Sequence, residues 1–228
     1  MALLDRLPLA PTRRGGVLAA SLAAAFVALA VLVEVGALNW LDQFSVDHLM
    51  PWLVPKSGKG LSPATFYRPF TLDTPAPNKL LDLWTYPCSV LVSLLVLLTC
   101  AYLVLRRAGP PPALALVAAW ALGNAIEVLG KGVITRPGLH ETVDGTPVHL
   151  VPFDNSFPSG HMIRGTVVAF AIAIVWPRAT RWVALWAALV APALVLQSAH
   201  TISDVAGGAV VGVLVCALAY PLAAPARA

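Results

Sequence analysis

Charge is what this chain has least of. Asp, Glu, Lys and Arg make up 11% of its 228 residues, where a soluble domain carries about 25%. With 58% hydrophobic residues and a mean hydropathy of +0.79, the composition sets soluble classes aside and points to a bilayer. Cysteine is nearly as scarce. Cys88, Cys100 and Cys216 each fall inside an apolar run, where cysteine behaves as a small hydrophobe. An odd count without paired spacing gives no disulfide framework, and no cluster resembles a zinc or iron–sulfur site. Internal repeats, a dinucleotide loop and a Walker loop are also missing from the sequence. The formal charge of +4 suggests nucleic acid only until the positions of the charges are examined.

What is present is a series of apolar runs, and the length fits one membrane domain over 1–228. A short basic leader carries Arg6, Arg13 and Arg14. Val17–Leu38 then provides a first run long enough for a hydrocarbon core of about 30 Å. It exceeds a signal-peptide core and lacks a small-residue cleavage site, so it reads as a retained helix. Asn39–Thr85 is polar and proline-rich. Within it, Leu38–Leu53 has the mixed pattern of a helix lying at the interface, and Trp40, Trp52, Phe66, Tyr67 and Trp84 suit the headgroup level. Five further runs follow at 87–105, 113–129, 162–176, 182–199 and 205–222. The expectation is an all-α bundle of six transmembrane helices with an interfacial helix in the first outer loop.

Arginine gives the orientation. With the N-terminus cytoplasmic, Arg6, Arg13, Arg14, Arg106, Arg107, Arg178, Arg181 and Arg227 all fall at cytoplasmic ends, and the short loops among these carry arginine with no acidic partner. Both termini are then cytoplasmic, and the long loops with most of the acids and histidines face outward. This partition accounts for the basic charge without nucleic acid. It places the chain in the plasma membrane with its polar chemistry on the extracytoplasmic side.

The stretch with the densest chemistry is Phe153–Gly165, FDNSFPSGHMIRG. Pro158, Ser159 and Gly160 close a loop, and Ser159 is a natural N-cap for the apolar run beginning at Met162. A helix N-terminus offers unpaired N–H groups and the positive end of the dipole to an anion. His161 sits in the first turn, where it could donate a proton. Arg164 adds a charge at the edge of an apolar run, where arginine is costly. The plainer reading is a loop ended by an ordinary cap.

The predicted topology brings three segments to one outer face: Glu127, Lys131 and Arg136-Pro137; Ser159, Gly160, His161 and Arg164; His200 and Asp204. His200 and Asp204 are four apart and share a helical face, so the carboxylate can fix the imidazole tautomer and leave the other nitrogen free to attack phosphorus. Thr201-Ile-Ser-Asp204 also matches a capping box, which would make Asp204 structural.

These residues resemble the type 2 phosphatidic acid phosphatase superfamily, which also contains the vanadium haloperoxidases. Its motifs are K-x6-RP, PSGH and SR-x5-H-x3-D. Pro158-Ser159-Gly160-His161 matches the second in full, and His200 and Asp204 match the end of the third. The resemblance covers roughly 113–222. It implies a metal- and cofactor-independent lipid phosphatase: His200 as nucleophile forming a phosphohistidine, Asp204 holding its ring, and His161 protonating the leaving oxygen. Lys131, Arg136, Arg164 and the N–H groups around Ser159 and Gly160 would bind the phosphate. Phosphatidate, phosphatidylglycerol phosphate and polyprenyl mono- or diphosphates are the implied substrates. A phosphotransferase to an alcohol and a degenerate lipid-binding or transport protein are the alternatives. Two departures stand out. Gly138-Leu139 occupies the place of the first motif's Arg-Pro, which comes two residues early here, and Ala193-Leu194 replaces the third motif's Ser-Arg. Arg164 is the candidate substitute for a missing arginine.

Overall fold

The computed structural model describes residues 13–50, 76–143 and 145–223. The leader residue Arg6, the aromatics Trp52, Phe66 and Tyr67, and Arg227 lie outside them. The chain is mostly helical. Helix α1 covers Arg13–Glu34, α2 Asn39–Phe44, α3 Ala76–Thr85, α4 Val90–Ala108, α5 Pro110–Val133, α6 Gly160–Val175, α7 Thr180–Leu196 and α8 Ile202–Ala223.

Local chemistry sets several boundaries. Pro110, Pro111 and Pro112 open α5, where no intrahelical N–H is needed. Gly109 separates α4 from α5 with φ of +83°, a left-handed conformation that favours glycine. At the end of α4, Arg107 donates to the carbonyl of Val175, the last residue of α6, at 2.9 Å. Arg106, Arg107 and the turn at 177–179 carrying Arg178 therefore gather at one end of the bundle.

Among the described residues, five helices are long and apolar enough to cross a membrane: Gly15–Glu34, Val90–Ala108, Pro110–Val133, Pro177–Leu196 and Ile202–Ala223. The expected fourth span is the exception. With 16 residues, α6 reaches only about 24 Å at 1.5 Å per residue. Its packing explains how it can be short. It contacts α4, α5, α7 and α8, and Ile163, Val167, Ala171 and Ile174 are almost wholly buried in the main apolar cluster. A helix enclosed by longer neighbours does not have to match the lipid thickness itself. Small residues allow the close approach: a Cβ on Gly212 of α8 would sit 2.7 Å from Thr166 of α6.

The all-α expectation needs correcting in the connection between α5 and α6. His140–Val143 (β1) and Thr146–His149 (β2) pair antiparallel, with His140 opposite His149 and Glu141 opposite Val148. Gly145, at φ +80°, supplies the turn, and the Asp144-Gly145 pair in the sequence is a hairpin signal.

The segment read as an interfacial helix over 38–53 is the short α2 followed by a wider turn over Ser45–Leu49; residues 51–53 lie outside the described residues. Trp40 and Phe44 face outward. The other side of α2 is tied to the loop after α5. Asn39 donates to the Pro137 carbonyl at 3.1 Å, and Gln43 exchanges hydrogen bonds with the His140 backbone at 2.6 and 3.1 Å.

Candidate active site

The short central helix creates the site. A Cβ built on Gly160, the first residue of α6, would fall 1.9 Å from the Glu127 carboxylate, so the two are in direct contact. Beyond Glu127, α5 runs on to Val133, about 9 Å further. On the other side, Gly208 of α8 lies against the Ser159 carbonyl, 2.4 Å from where a Cβ would be, while α8 itself starts back at Ile202. The α6 N-terminus is therefore the floor of a recess walled by α5 and α8. It holds a cavity of about 350 Å³ lined by Glu127, Lys131, His161, Arg164, Ser198 and His200 together with the 152–156 loop.

His161 and His200 face each other there with ring centroids 5.9 Å apart. His200 is 6% exposed, and its Nδ1 lies 3.5 Å from Asp204 Oδ2. That is an ion-pair separation, long for a hydrogen bond, and among the described residues Nδ1 has no closer partner. Asp204 is fully buried. Its Oδ2 accepts from the Ser156 hydroxyl at 2.7 Å and from Thr201 N–H at 3.0 Å, and its Oδ1 accepts from Arg136. Asp204 N–H points back to Thr201 Oγ1 at 3.5 Å. The capping box and the His–Asp pair thus coexist: the same carboxylate caps α8 and sits behind the imidazole.

Of the expected phosphate ligands, Lys131 and Arg164 line the cavity. Arg164 does not snorkel. It is 4% exposed and donates to the Cys88 carbonyl at 2.7 Å, to Asn124 at 3.0 Å and to Glu127. Lys131 donates to the other Glu127 oxygen at 2.7 Å. Ser159 is used in the fold: its hydroxyl accepts from Met162 N–H at 3.3 Å, confirming the N-cap, and its own N–H donates to the Asp204 carbonyl at 2.9 Å. Gly160 is covered by Glu127.

Arg136 does not line the cavity. It lies buried behind Asp204, donating also to Asp42 and to Thr201 Oγ1, both at 2.8 Å. Asp42, from α2, accepts from Ser203 N–H at 2.9 Å and from its hydroxyl at 2.6 Å. Burial pushes the Asp42 carboxyl above its ordinary range, against the pull of Arg136.

Sequence reasoning passed over Asp42 and Ser198, and it named Glu127 on the converging face without giving it a role. Asp42 is a lone acid in an apolar short helix, and nothing local links it to residues far along the chain. Glu127 stands one turn before Lys131 beside Asn124, a polar stripe on an apolar helix that could have marked it. Ser198 is in a left-handed conformation, φ +61°, with a buried hydroxyl lacking a partner on the cavity wall; a serine there leaves no sequence signal. Leu194, in the place of the family arginine, is fully buried in an apolar cluster.

Fold and site together define a multi-pass membrane protein with a recessed two-histidine, one-aspartate centre. The sequence profile of the PAP2 superfamily matches residues 112–227, and the chain belongs to that superfamily. No curated protein sequence matches it. Among solved structures it is similar to the first transmembrane PAP2 type phosphatidylglycerolphosphate phosphatase from Bacillus subtilis, with a TM-score of 0.62, 17% identity, and coverage of 88% of this chain and 93% of that one. It is also similar to Aquifex aeolicus LpxE, with a TM-score of 0.48, 17% identity, and coverage of 65% and 87% respectively.

Proposed function

We propose that the protein is a lipid phosphate phosphatase of the plasma membrane whose recess opens on the extracytoplasmic side. The observation that carries this reading is the His161–His200 pair facing across the cavity, with Asp204 behind His200. With Nδ1 turned to Asp204, His200 Nε2 is the nitrogen that attacks phosphorus. The N–P bond forms as the bond to the lipid oxygen breaks, and His161 donates a proton to that departing oxygen. Water then attacks the phosphohistidine, giving a proton back to His161 and releasing phosphate. Lys131 and Arg164 hold the phosphate oxygens as charge develops, and the unpartnered Ser198 hydroxyl adds a donor. Arg136, Ser156 and Asp42 act from behind by fixing Asp204.

The arginine-bordered ends, Arg106–Arg107 and Arg178–Arg181, support the orientation. The family resemblance supports a substrate with a lipid tail, and the solved relative from Bacillus subtilis acts on phosphatidylglycerolphosphate. The test is phosphate release from a panel of lipid phosphates by purified protein in detergent, with and without EDTA. Release that persists in EDTA is the expected result. No release from any member, or loss with EDTA, would reject the mechanism.

A further inference from the structure

The charges around the cavity are not those of a simple cationic cradle. Behind the histidines, Arg136 is answered by both Asp42 and Asp204. In the cavity itself, Lys131 and Arg164 are both bonded to one carboxylate, that of Glu127. Among the described residues, two cations against one anion leave one fixed positive charge to receive the substrate, and the proton that His161 holds for the leaving oxygen adds a second. Glu127 is also placed where an incoming anion would go, against the first residue of α6, where the helix dipole favours negative charge. It is 8% exposed and held from both sides, so it does not swing out of the way. The Arg164 and Glu127 side chains are 5% and 11% exposed, and charges withdrawn from water this far stay strongly coupled.

We propose that Glu127 is a specificity-determining residue that selects a lipid monophosphate over a lipid diphosphate. The inference rests on the phosphatase reading and narrows its substrate class. A monophosphate group carries close to two negative charges near neutral pH. Those two are met by the fixed charge and the His161 proton; a diphosphate adds a further charge that nothing described in the cavity meets, and Glu127 on the same lining repels it. Rejecting the more highly charged substrate by like-charge repulsion is a recognised route to specificity.

The test compares two substrates with the same short prenyl alcohol, one a monophosphate and one a diphosphate, in wild-type protein and in Glu127→Gln. The amide keeps the shape of the side chain and removes its charge. The wild type should prefer the monophosphate by about tenfold or more in kcat/KM, and Glu127→Gln should shrink that ratio by roughly tenfold. A wild-type preference for the diphosphate would overturn the inference without further variants. So would a ratio unchanged in Glu127→Gln with both rates lowered alike, because that is the signature of a carboxylate that only positions Lys131 and Arg164. Should Glu127→Gln fail to fold, Glu127→Ala takes its place: the ratio should shrink in the same way, and an unchanged ratio overturns the inference. Turnover of neither substrate would fail the phosphatase reading, and the inference with it; turnover with the wrong preference fails the inference alone.

Discussion

The two sides of His200 are built from the same side-chain types with opposite balance. In front, two cations share one acid: Lys131 and Arg164 around Glu127. Behind, two acids share one cation: Asp42 and Asp204 around Arg136. The front cluster lines the cavity. The rear cluster is sealed, with the Arg136 side chain and the Asp204 side chain at 0% exposure, and is completed by Ser203, Thr201 and Ser156. A phosphate needs an unneutralised positive charge, which among the described residues the front has and the rear lacks. A frame for a carboxylate needs every polar atom satisfied, which the rear comes close to achieving. An arginine's role is therefore set by how many acids surround it.

The sharpest way to divide the two sides is at their junction. His200→Ala should reduce turnover by at least about 10⁴-fold, with the melting transition nearly unchanged, and a phosphoenzyme trapped from radiolabelled substrate should disappear. A variant that keeps its phosphoenzyme would move the nucleophile elsewhere.

Arg136→Ala breaks the rear. It leaves Asp42 and Asp204 buried without their shared cation, a situation that typically costs 3–5 kcal/mol, taken here as about 4 kcal/mol. Thermal unfolding in detergent should show a large loss of stability. Arg136→Lys keeps the charge but cannot fork to Asp42, Thr201 and Asp204 together, so it should fall between. If Arg136→Ala melts like the wild type while KM for substrate rises, Arg136 belongs to the front after all.

This division also marks how far the sequence could be read. The apolar runs, the arginine-bordered ends, Pro158-Ser159-Gly160-His161 and the His200/Asp204 spacing were legible because each is a local pattern with a local cause: lipid thickness, charge placement, capping, one helical turn. Glu127 was visible as a polar residue on an apolar helix, yet its contact with Gly160 depends on where α6 begins against α5. Asp42 was invisible as a site residue, since its bonds to Arg136 and Ser203 join segments separated by 94 and 161 positions. Arg136 was expected at the phosphate because the resemblance supplies a Lys-then-Arg-Pro order. The two-residue shift in this chain accompanies an arginine that faces Asp204 instead. The hairpin at 140–149 was missed because length and hydropathy were read there, and its Asp-Gly turn was not.

At the front, the expected effects are smaller. Arg164→Lys should lose roughly 1–3 kcal/mol of transition-state stabilisation in kcat/KM, the scale of a hydrogen bond to a charged group. A single ammonium has three N–H donors and cannot serve Cys88, Asn124 and Glu127 and also offer a two-pronged N–H edge to phosphate. Arg164→Ala should lose more. Wild-type kcat/KM in Arg164→Ala would show that Lys131 carries the phosphate without it.

Thr201 gives the smallest expected effect on turnover and belongs to the rear, off the cavity lining. Its hydroxyl accepts from Arg136 at 2.8 Å and faces the Asp204 N–H at 3.5 Å, while its own N–H donates to Asp204 Oδ2 at 3.0 Å. Only the hydroxyl contacts are lost in Thr201→Val, which keeps the side-chain volume and the backbone bond. Removing a helix cap of this kind costs typically about 1 kcal/mol, and an arginine N–H left short of one acceptor adds a similar amount. Thr201→Val should therefore lower stability by roughly 2 kcal/mol, and Thr201→Ser should recover most of it. Because Arg136 still holds Oδ1 and Ser156 still holds Oδ2, Asp204 keeps its place behind His200, and kcat should change by less than about threefold. A loss of kcat much larger than this in a Thr201→Val protein that still folds would mean that the rear cluster reaches the chemistry through the orientation of Asp204, and that the frame and the reacting side of the site are not separable.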